Sequence, residues 1–466
     1  MSSARLSIVQ RAALAAICLA SCVALRATVP DDYDSIGFVL GIGDVFDMAR
    51  FQPHFPGYPV FVGAGRSLAS LGLSPMVAAT TLSAFGSAVT LFAVAGIAAE
   101  QAGMRAMVAY SLLHIVAWLP LCLGGAALSE AAGAACAAVS FAMLFGGKSR
   151  PIASGIAIAM MLGVRLSYWP IAFAWFGCWL VRERRECARA SVAASVAAAA
   201  WAIPFVVAVG PKELVQLGRV HVVGHFAEWG GSIATRPSVI DRVSALLRGL
   251  SGSIAPSRVS VAVVIGSVAL GWIVARKRQR STDARAIGAI ALILAPYAIW
   301  AFFAQNIIDQ PRHLLPLVEA LLLAFALILE SSWPAIAIAT AAIGVAALPH
   351  ALVRHTTLPP AAQAAEWIRG EVAHDRPFSD TMIFGGRSLR FFSAAGLNVP
   401  MRERASLAEI GVDLGRVDHF PKRIIVTSEV GDGPRRTYTR RQIGQFCRDS
   451  SVDALPLCLQ LFDIIW

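Results

Sequence analysis

Residues 75–99 read PMVAATTLSAFGSAVTLFAVAGIAA, a run without one charged side chain. Roughly 20 helical residues cross the hydrocarbon core of a bilayer, so this run is long enough to span it. The stretches 106–122, 127–145, 190–209, 259–275, 286–304, 313–330 and 333–349 are as long or nearly so, and 12–29 forms a first candidate. The stretch 151–181 is too long for one span and reads as two short helices meeting near Arg165 to Pro170. Together these predict about eleven spans.

Composition points the same way. Of 466 residues, 57% are apolar and only 15% charged, where an average soluble chain is nearer a quarter charged. One water-soluble core cannot hold that much apolar surface, so lipid serves as the second apolar phase. A net charge of +11 would raise nucleic acid as a partner in a soluble chain. Here the cations cluster between apolar runs, and membrane lipids, not nucleic acid, are the expected partners. Arg5 and Arg11 precede the first run, Lys148 and Arg150 sit in a short turn, and Arg182, Arg184, Arg185 and Arg189 form one cluster. Arg276, Lys277, Arg278 and Arg280 form another.

The positive-inside rule puts these clusters in the cytoplasm. Alternating spans then set the N-terminus inside and residues 30–57, 210–257 and 350–466 outside. The outer loop 210–257 nevertheless carries Lys212, Arg219, Arg236, Arg242 and Arg248. Arg5 and Arg11 before an apolar stretch also resemble a signal peptide, and Leu19-Ala20-Ser21-Cys22 a lipoprotein cleavage box. An uncleaved first span is preferred, because the bundle needs that helix for packing. Arginine-rich turns and alanine-rich helices suit a GC-rich bacterial genome, hence a bacterial inner membrane.

Three parts emerge: the first span and external loop (1–74), a multi-span bundle (75–350) and a polar tail (351–466). Pro359-Pro360 opens the tail, a helix follows at about 361–373, and β-like runs stand at 381–384, 423–427 and 461–465. The expected fold is an all-α polytopic transmembrane bundle with a small extracytoplasmic α/β domain. Cys18, Cys22, Cys122, Cys136 and Cys178 lie in apolar runs and read as small packing residues. Cys447 and Cys458 lie in the outer tail, where a disulfide between them is an open possibility.

The first external segment carries the chemistry. It runs Asp31-Asp32-Tyr33-Asp34-Ser35-Ile36-Gly37-Phe38, holds Asp44 and Asp47, and continues Gln52-Pro53-His54-Phe55-Pro56-Gly57-Tyr58-Pro59. A solvated acidic loop is the plain alternative. Against it, the acids are mixed with Phe38, Val39, Leu40, Val45 and Phe46, which predicts one or two helices lying along the membrane surface. The prolines and glycine at 53–59 predict a fixed turn.

These patches resemble the GT-C superfamily of membrane glycosyltransferases, above all bacterial relatives of the protein O-mannosyltransferases and the aminoarabinose transferases. Those enzymes carry an acid just after the first span, and many then show a His-Pro-Pro-Gly-Tyr-Pro run. Here it stands as His54-Phe55-Pro56-Gly57-Tyr58-Pro59, with phenylalanine at its first proline. Ser129-Glu130, Gly163-Val164-Arg165-Leu166-Ser167-Tyr168 and Arg312-His313-Leu314-Leu315-Pro316-Leu317 are similar too. Asp34 is followed by Ser35 and not by a second acid, so the choice between Asp34 and Asp32 stays open.

The resemblance implies a sugar donor linked to polyprenyl phosphate, and a hexosyl or pentosyl transfer to a glycan, lipid or protein acceptor. The leaving phosphate needs cations as charge develops. Arg165, Arg312 and His313 stand at external ends of spans, where such a phosphate would lie. The acceptor needs a general base. Asp34 is the first choice and Asp32 the second, with Asp44 and Asp47 holding the loop or touching the acceptor, alongside His54 and Tyr58. Segment 219–236 adds His221, His225, Glu228, Trp229 and Arg236. It reads as acceptor or sugar contact, with Trp229 a stacking surface. A histidine pair four apart leaves a divalent metal open, although no cofactor is expected. Asp32-Tyr33-Asp34 also spells the metal-binding Asp-x-Asp of nucleotide-sugar enzymes, but those substrates are cytoplasmic and this loop is external. The rivals are a transporter or flippase of a lipid-linked sugar, which usually shows internal symmetry, and a non-catalytic assembly partner of similar fold.

Overall fold

The computed structural model describes residues 3–146, 149–228, 232–235, 238–277, 284–374, 381–386, 388–397, 399–414, 421–431, 439–448 and 458–465. Lys148, Trp229, Arg236, Arg278 and Arg280 lie outside them.

The first span, α1 (Ser3–Ala24), is followed by two short helices, α2 (Tyr33–Gly43) and α3 (Pro59–Ser70), and then by the long α4 (Pro75–Ala102). The quoted apolar run becomes α4 for local reasons. Ser74 caps it by accepting the Val77 N–H at 3.3 Å, Pro75 fits the first turn, and Gly103 ends it at φ +85°. Small side chains let α4 approach α7 (Glu130–Phe145) closely. A Cβ on Gly86 would lie 2.6 Å from the Ala132 nitrogen. Between α4 and α7 run α5 (Met104–Val116) and α6 (Trp118–Gly124), bent by 65°. The long apolar stretch divides as its sequence implies, into α8 (Pro151–Val164) and α9 (Trp169–Arg182), joined at Arg165 through a 3-10 turn. Then come α10 (Arg184–Val209), α11 (Pro211–Val223), α12 (Val239–Ile254), α13 (Arg258–Lys277), α14 (Ala284–Ala304), α15 (Leu315–Leu329) and α16 (Trp333–Thr356).

Among the described residues seven helices are long and apolar enough to cross a membrane, or eight if the bent pair α5–α6 counts as one span. The expected eleven are not reached by this measure. The reason is length: α7 and α8 have 16 and 14 residues, which at about 1.5 Å each fall short of a hydrocarbon core of about 30 Å. One basic residue of the segment 210–257 also finds an account. Buried Arg242 donates to the carbonyls of Ala301, at 3.4 Å, Gln305, at 2.8 Å, and Phe302, closing the end of α14. Its charge serves a helix terminus rather than setting topology.

The tail forms α17 (Pro360–His374), β1 (Thr381–Gly385), α18 (Leu389–Ala394), β2 (Met401–Glu403), α19 (Leu407–Leu414), β3 (Arg423–Thr427), β4 (Thr439–Cys447) and β5 (Cys458–Ile465). The sheet order is β2-β1-β3-β5-β4, with β1 parallel to β2 and β3, and β5 antiparallel to β3 and β4. Successive side chains alternate faces. Ile425 therefore packs with Ala364, Ile368 and Phe392, while Ile424 and Val426 pack with Leu407 and Ile410. A disulfide joins Cys447 to Cys458 across β4 and β5.

Helix α2 departs from expectation. A surface-lying helix would keep one face wet, yet Ser35, Ile36, Gly37 and Phe38 are all buried. Ile36 belongs to the core of the tail domain, whereas Phe38 and Ile42 belong to the core of the bundle. The helix is a shared wall between the two.

Candidate active site

Helix α2 begins where Asp32 caps it. One Asp32 oxygen accepts the N–H groups of Asp34, at 2.9 Å, and Ser35, at 2.7 Å, while the Ser35 hydroxyl accepts the Asp32 N–H at 2.9 Å. This reciprocal box satisfies donors that a helix start leaves open. The other Asp32 oxygen accepts from Arg312 Nη1 at 2.8 Å. Burial pushes the Asp32 carboxyl up and the Arg312 charge opposes it. Asp32 is thus fully occupied. Asp34, on the first turn, pairs with Nη2 of the same arginine and lies 3.3 Å from His54 Nδ1. Its side chain is 27% exposed against 7% for Asp32, so Asp34 is the more exposed of the two.

Arg312 opens α15 from a 3-10 turn, and its Nε lies 3.3 Å from Glu130 Oε1. The same Glu130 oxygen lies 2.9 Å from Arg165 Nη2. Arg165 also donates to the Ser129 hydroxyl at 3.1 Å and meets His313 Nδ1 at 3.1 Å. His313 is held by Gln310 at 2.8 Å, and its carbonyl accepts from Tyr297 at 2.6 Å. Glu130, at the start of α7 and fully buried, therefore unites both arginines. In sequence Glu130 stands only within the Ser129-Glu130 patch, with no role attached. Its signal was an acid opening an apolar run, which is costly unless paired.

The turn after α2 places two aromatic groups. Tyr58 packs its ring edge-on against Phe38, with centroids 4.8 Å apart, and bonds His54 Nε2 through its hydroxyl at 2.6 Å. Phe51 and Tyr58 take left-handed backbones, at φ +58° and +49°, a conformation that costs side-chain-bearing residues about 1–3 kcal/mol and needs firm surroundings. His54 stacks on His221 at 5.4 Å, and His221 on His225 at 6.3 Å. Burial lowers the pKa of His54 and His225, and takes that of His221 down to about 3. All three rings are neutral at pH 7. In one tautomer a neutral His54 donates from Nδ1 toward Asp34 and accepts the Tyr58 hydroxyl at Nε2.

These groups surround a cavity of about 290 Å³ lined by Asp34, His54, Tyr58, Arg165, His225 and His313 among the residues picked from sequence. His221, named in sequence beside His225, lines it too, as do Gln310 and Arg390, the last from α18, which no sequence motif marked. Arg312 does not line it and sits behind Asp34. Asp44 and Asp47 stand elsewhere, and they do not share a helical face: α2 ends at Gly43, and Asp47 turns back to accept the N–H groups of Ala49, at 3.0 Å, and Arg50, at 3.2 Å. A short acid bonding its own backbone competes with helix. His221 and His225 stack their rings face to face, with His225 Nε2 at 2.9 Å from the Ala304 carbonyl oxygen. Among the described residues no group of three or more histidine, cysteine or acidic side chains is arranged to hold a metal.

No protein-family profile and no curated protein matches the sequence. Among solved structures, ArnT from Cupriavidus metallidurans bound to undecaprenyl phosphate superposes with a TM-score of 0.56 at 14% identity, over 99% of this chain and 98% of that one. At that identity the likeness shows the fold alone: this chain is a membrane protein that shares the overall fold of that structure.

Proposed function

We propose that the protein is a glycosyltransferase that moves a sugar from a polyprenyl-phosphate donor to an acceptor outside the bacterial inner membrane. The N-terminus would then be cytoplasmic and the tail domain external. The observation that carries this is the cavity in which Asp34 exposes one carboxylate beside Arg165, in a fold shared with a protein that holds undecaprenyl phosphate. Asp34 takes the proton of the acceptor hydroxyl or amine. The acceptor atom bonds the anomeric carbon, the bond from that carbon to the phosphate oxygen breaks, and the phosphate leaves with the electron pair. Arg165 and His313, which line the cavity, offer hydrogen bonds to the leaving phosphate. Arg312 is assigned to Asp34, which it holds in place, and Asp32 to the cap of α2.

The test is release of polyprenyl phosphate from a sugar-charged lipid by purified protein. Wild type should release it, and Asp34→Asn should bind the donor without transfer. No release by wild type, or an Asp34→Asn protein at wild-type rate, overturns the reading.

A further inference from the structure

Tyr33 stands between the two acids of the first loop, and its side chain lines the same cavity as Asp34. Its ring packs on the core of the tail domain and meets Phe391 of α18 edge-on, with centroids 6.0 Å apart. Its hydroxyl donates to Oε1 of Glu429, in the turn that follows β3. The other Glu429 oxygen, Oε2, is engaged within the tail domain itself. It lies 3.0 Å from the Gly386 nitrogen, 3.1 Å from the Ser388 nitrogen and 3.3 Å from the Thr427 hydroxyl, and it accepts the Ser388 hydroxyl as well. These groups come from the ends of β1 and β3 and from the turn before α18. They fix the carboxylate, so Oε1 is presented to Tyr33 in one direction.

The first turn of α2 is thus held from both sides. The bundle holds Asp32 through Arg312, at 2.8 Å, and the tail domain holds Tyr33 through Glu429. Asp34 is the next residue, so the direction of its side chain follows the rotation of this turn. A base must come within about 3 Å of the proton it removes. A misplacement of about 1 Å can cost a hundredfold in rate. A tie on Tyr33 therefore bears directly on the base.

We infer that Glu429 is a positioning residue: through the Tyr33 hydroxyl, the tail domain sets the orientation of the helix turn that carries Asp34. The inference rests on the proposed transferase reading, in which Asp34 is the base. The tail domain then takes part in the alignment of the reaction as well as covering the loop.

Two measurements on the full-length protein in detergent test this. The first is hydrogen exchange. Tyr33→Phe keeps the ring against Phe391 and removes only the hydroxyl. Amides in the first turn of α2 should then exchange about tenfold faster, as loss of a strong hydrogen bond implies, while those of β3 keep wild-type protection. Glu429→Gln should have a smaller effect, because an amide can still bond the tyrosine hydroxyl. The double variant should match Tyr33→Phe, since both changes act on one contact. The second measurement is release of undecaprenyl phosphate from that lipid charged with mannose or with aminoarabinose. Tyr33→Phe should lower kcat about tenfold or more and leave KM for the charged lipid unchanged, the pattern of a misplaced base rather than of lost binding. A wild-type kcat in Tyr33→Phe, or unchanged exchange in α2, overturns the inference and leaves the transferase reading standing. Faster exchange in β3 as well as in α2 makes the pair a plain fastening of the domain and overturns it too. If wild type releases no undecaprenyl phosphate, the transferase reading falls and the positioning role falls with it.

Discussion

Two acids two positions apart have opposite duties. Asp32 spends one oxygen on the start of α2 and the other on Arg312, whereas Asp34 lines the cavity beside His54. Asp32→Ala should therefore act on stability. It loses a helix cap worth about 1 kcal/mol and a charged hydrogen bond worth about 1.5–3 kcal/mol. Thermal melting in detergent should show a clear drop for Asp32→Ala and little change for Asp34→Asn, the reverse of their effects on transfer. Equal drops would return the two residues to one role. The histidine stack sets a pH dependence. An unfolded histidine titrates near 6.5, while the folded chain holds His54, His221 and His225 below that, His221 at about 3. Below about pH 6.5 the unfolded chain binds more protons, so this contribution is complete above that pH and is lost progressively on acidification. The melting temperature should fall from pH 7 to pH 5, and His221→Phe, which keeps the stack, should flatten the fall. Parallel curves for both proteins would remove His221 from the effect.

Helix α2 owes its place to two glycines. A Cβ on Gly37 would lie 2.5 Å from the Phe51 carbonyl oxygen, and one on Gly41 would lie 2.9 Å from Pro53 Cδ. Four residues apart, they share a face and let the loop carrying Phe51 and His54 lie directly on the helix. Gly37→Ala should displace that loop, cost about 1–3 kcal/mol as overpacking does, and lower transfer. Gly63→Ala in α3, where a Cβ meets nothing within 4 Å, is the control and should leave stability unchanged or slightly raised. Equal melting temperatures for the two variants would sink the packing argument. In sequence, Gly37 and Gly41 only weaken a helix assignment. Their use becomes visible once the second segment is known to lie against them.

At the scale of the whole chain, one carboxylate joins first loop, bundle and tail. Asp31 accepts from Arg354 Nε of α16 at 2.6 Å and from Arg448, just after β4, at 2.9 Å. Both arginines are buried. Asp31→Asn would leave two buried guanidinium groups short of a counter-charge, and removing one partner of a buried pair typically costs about 3–5 kcal/mol. The variant should melt lower and release the tail domain to limited proteolysis faster than wild type. Unchanged proteolysis would mean that Tyr33 and Glu429 hold the domain without Asp31. The joint explains why the tail, though polar, is part of the site: its fastenings flank Asp32 and Asp34.

The sequence by itself determined the membrane class, the two short helices meeting at Arg165 and the α/β character of the tail, because apolar run length and alternation are local properties of the chain. It also marked Asp34, Arg165, His313, His54 and Tyr58, which line one cavity. Only the tertiary structure decided how those groups divide their work. Whether an arginine faces a ligand or a carboxylate depends on residues far along the chain: Arg312 meets Asp32 and Asp34 from 280 and 278 residues away, and Arg390 reaches the cavity from another domain. Charge balance is a sum over such distant partners, and no window of sequence contains it.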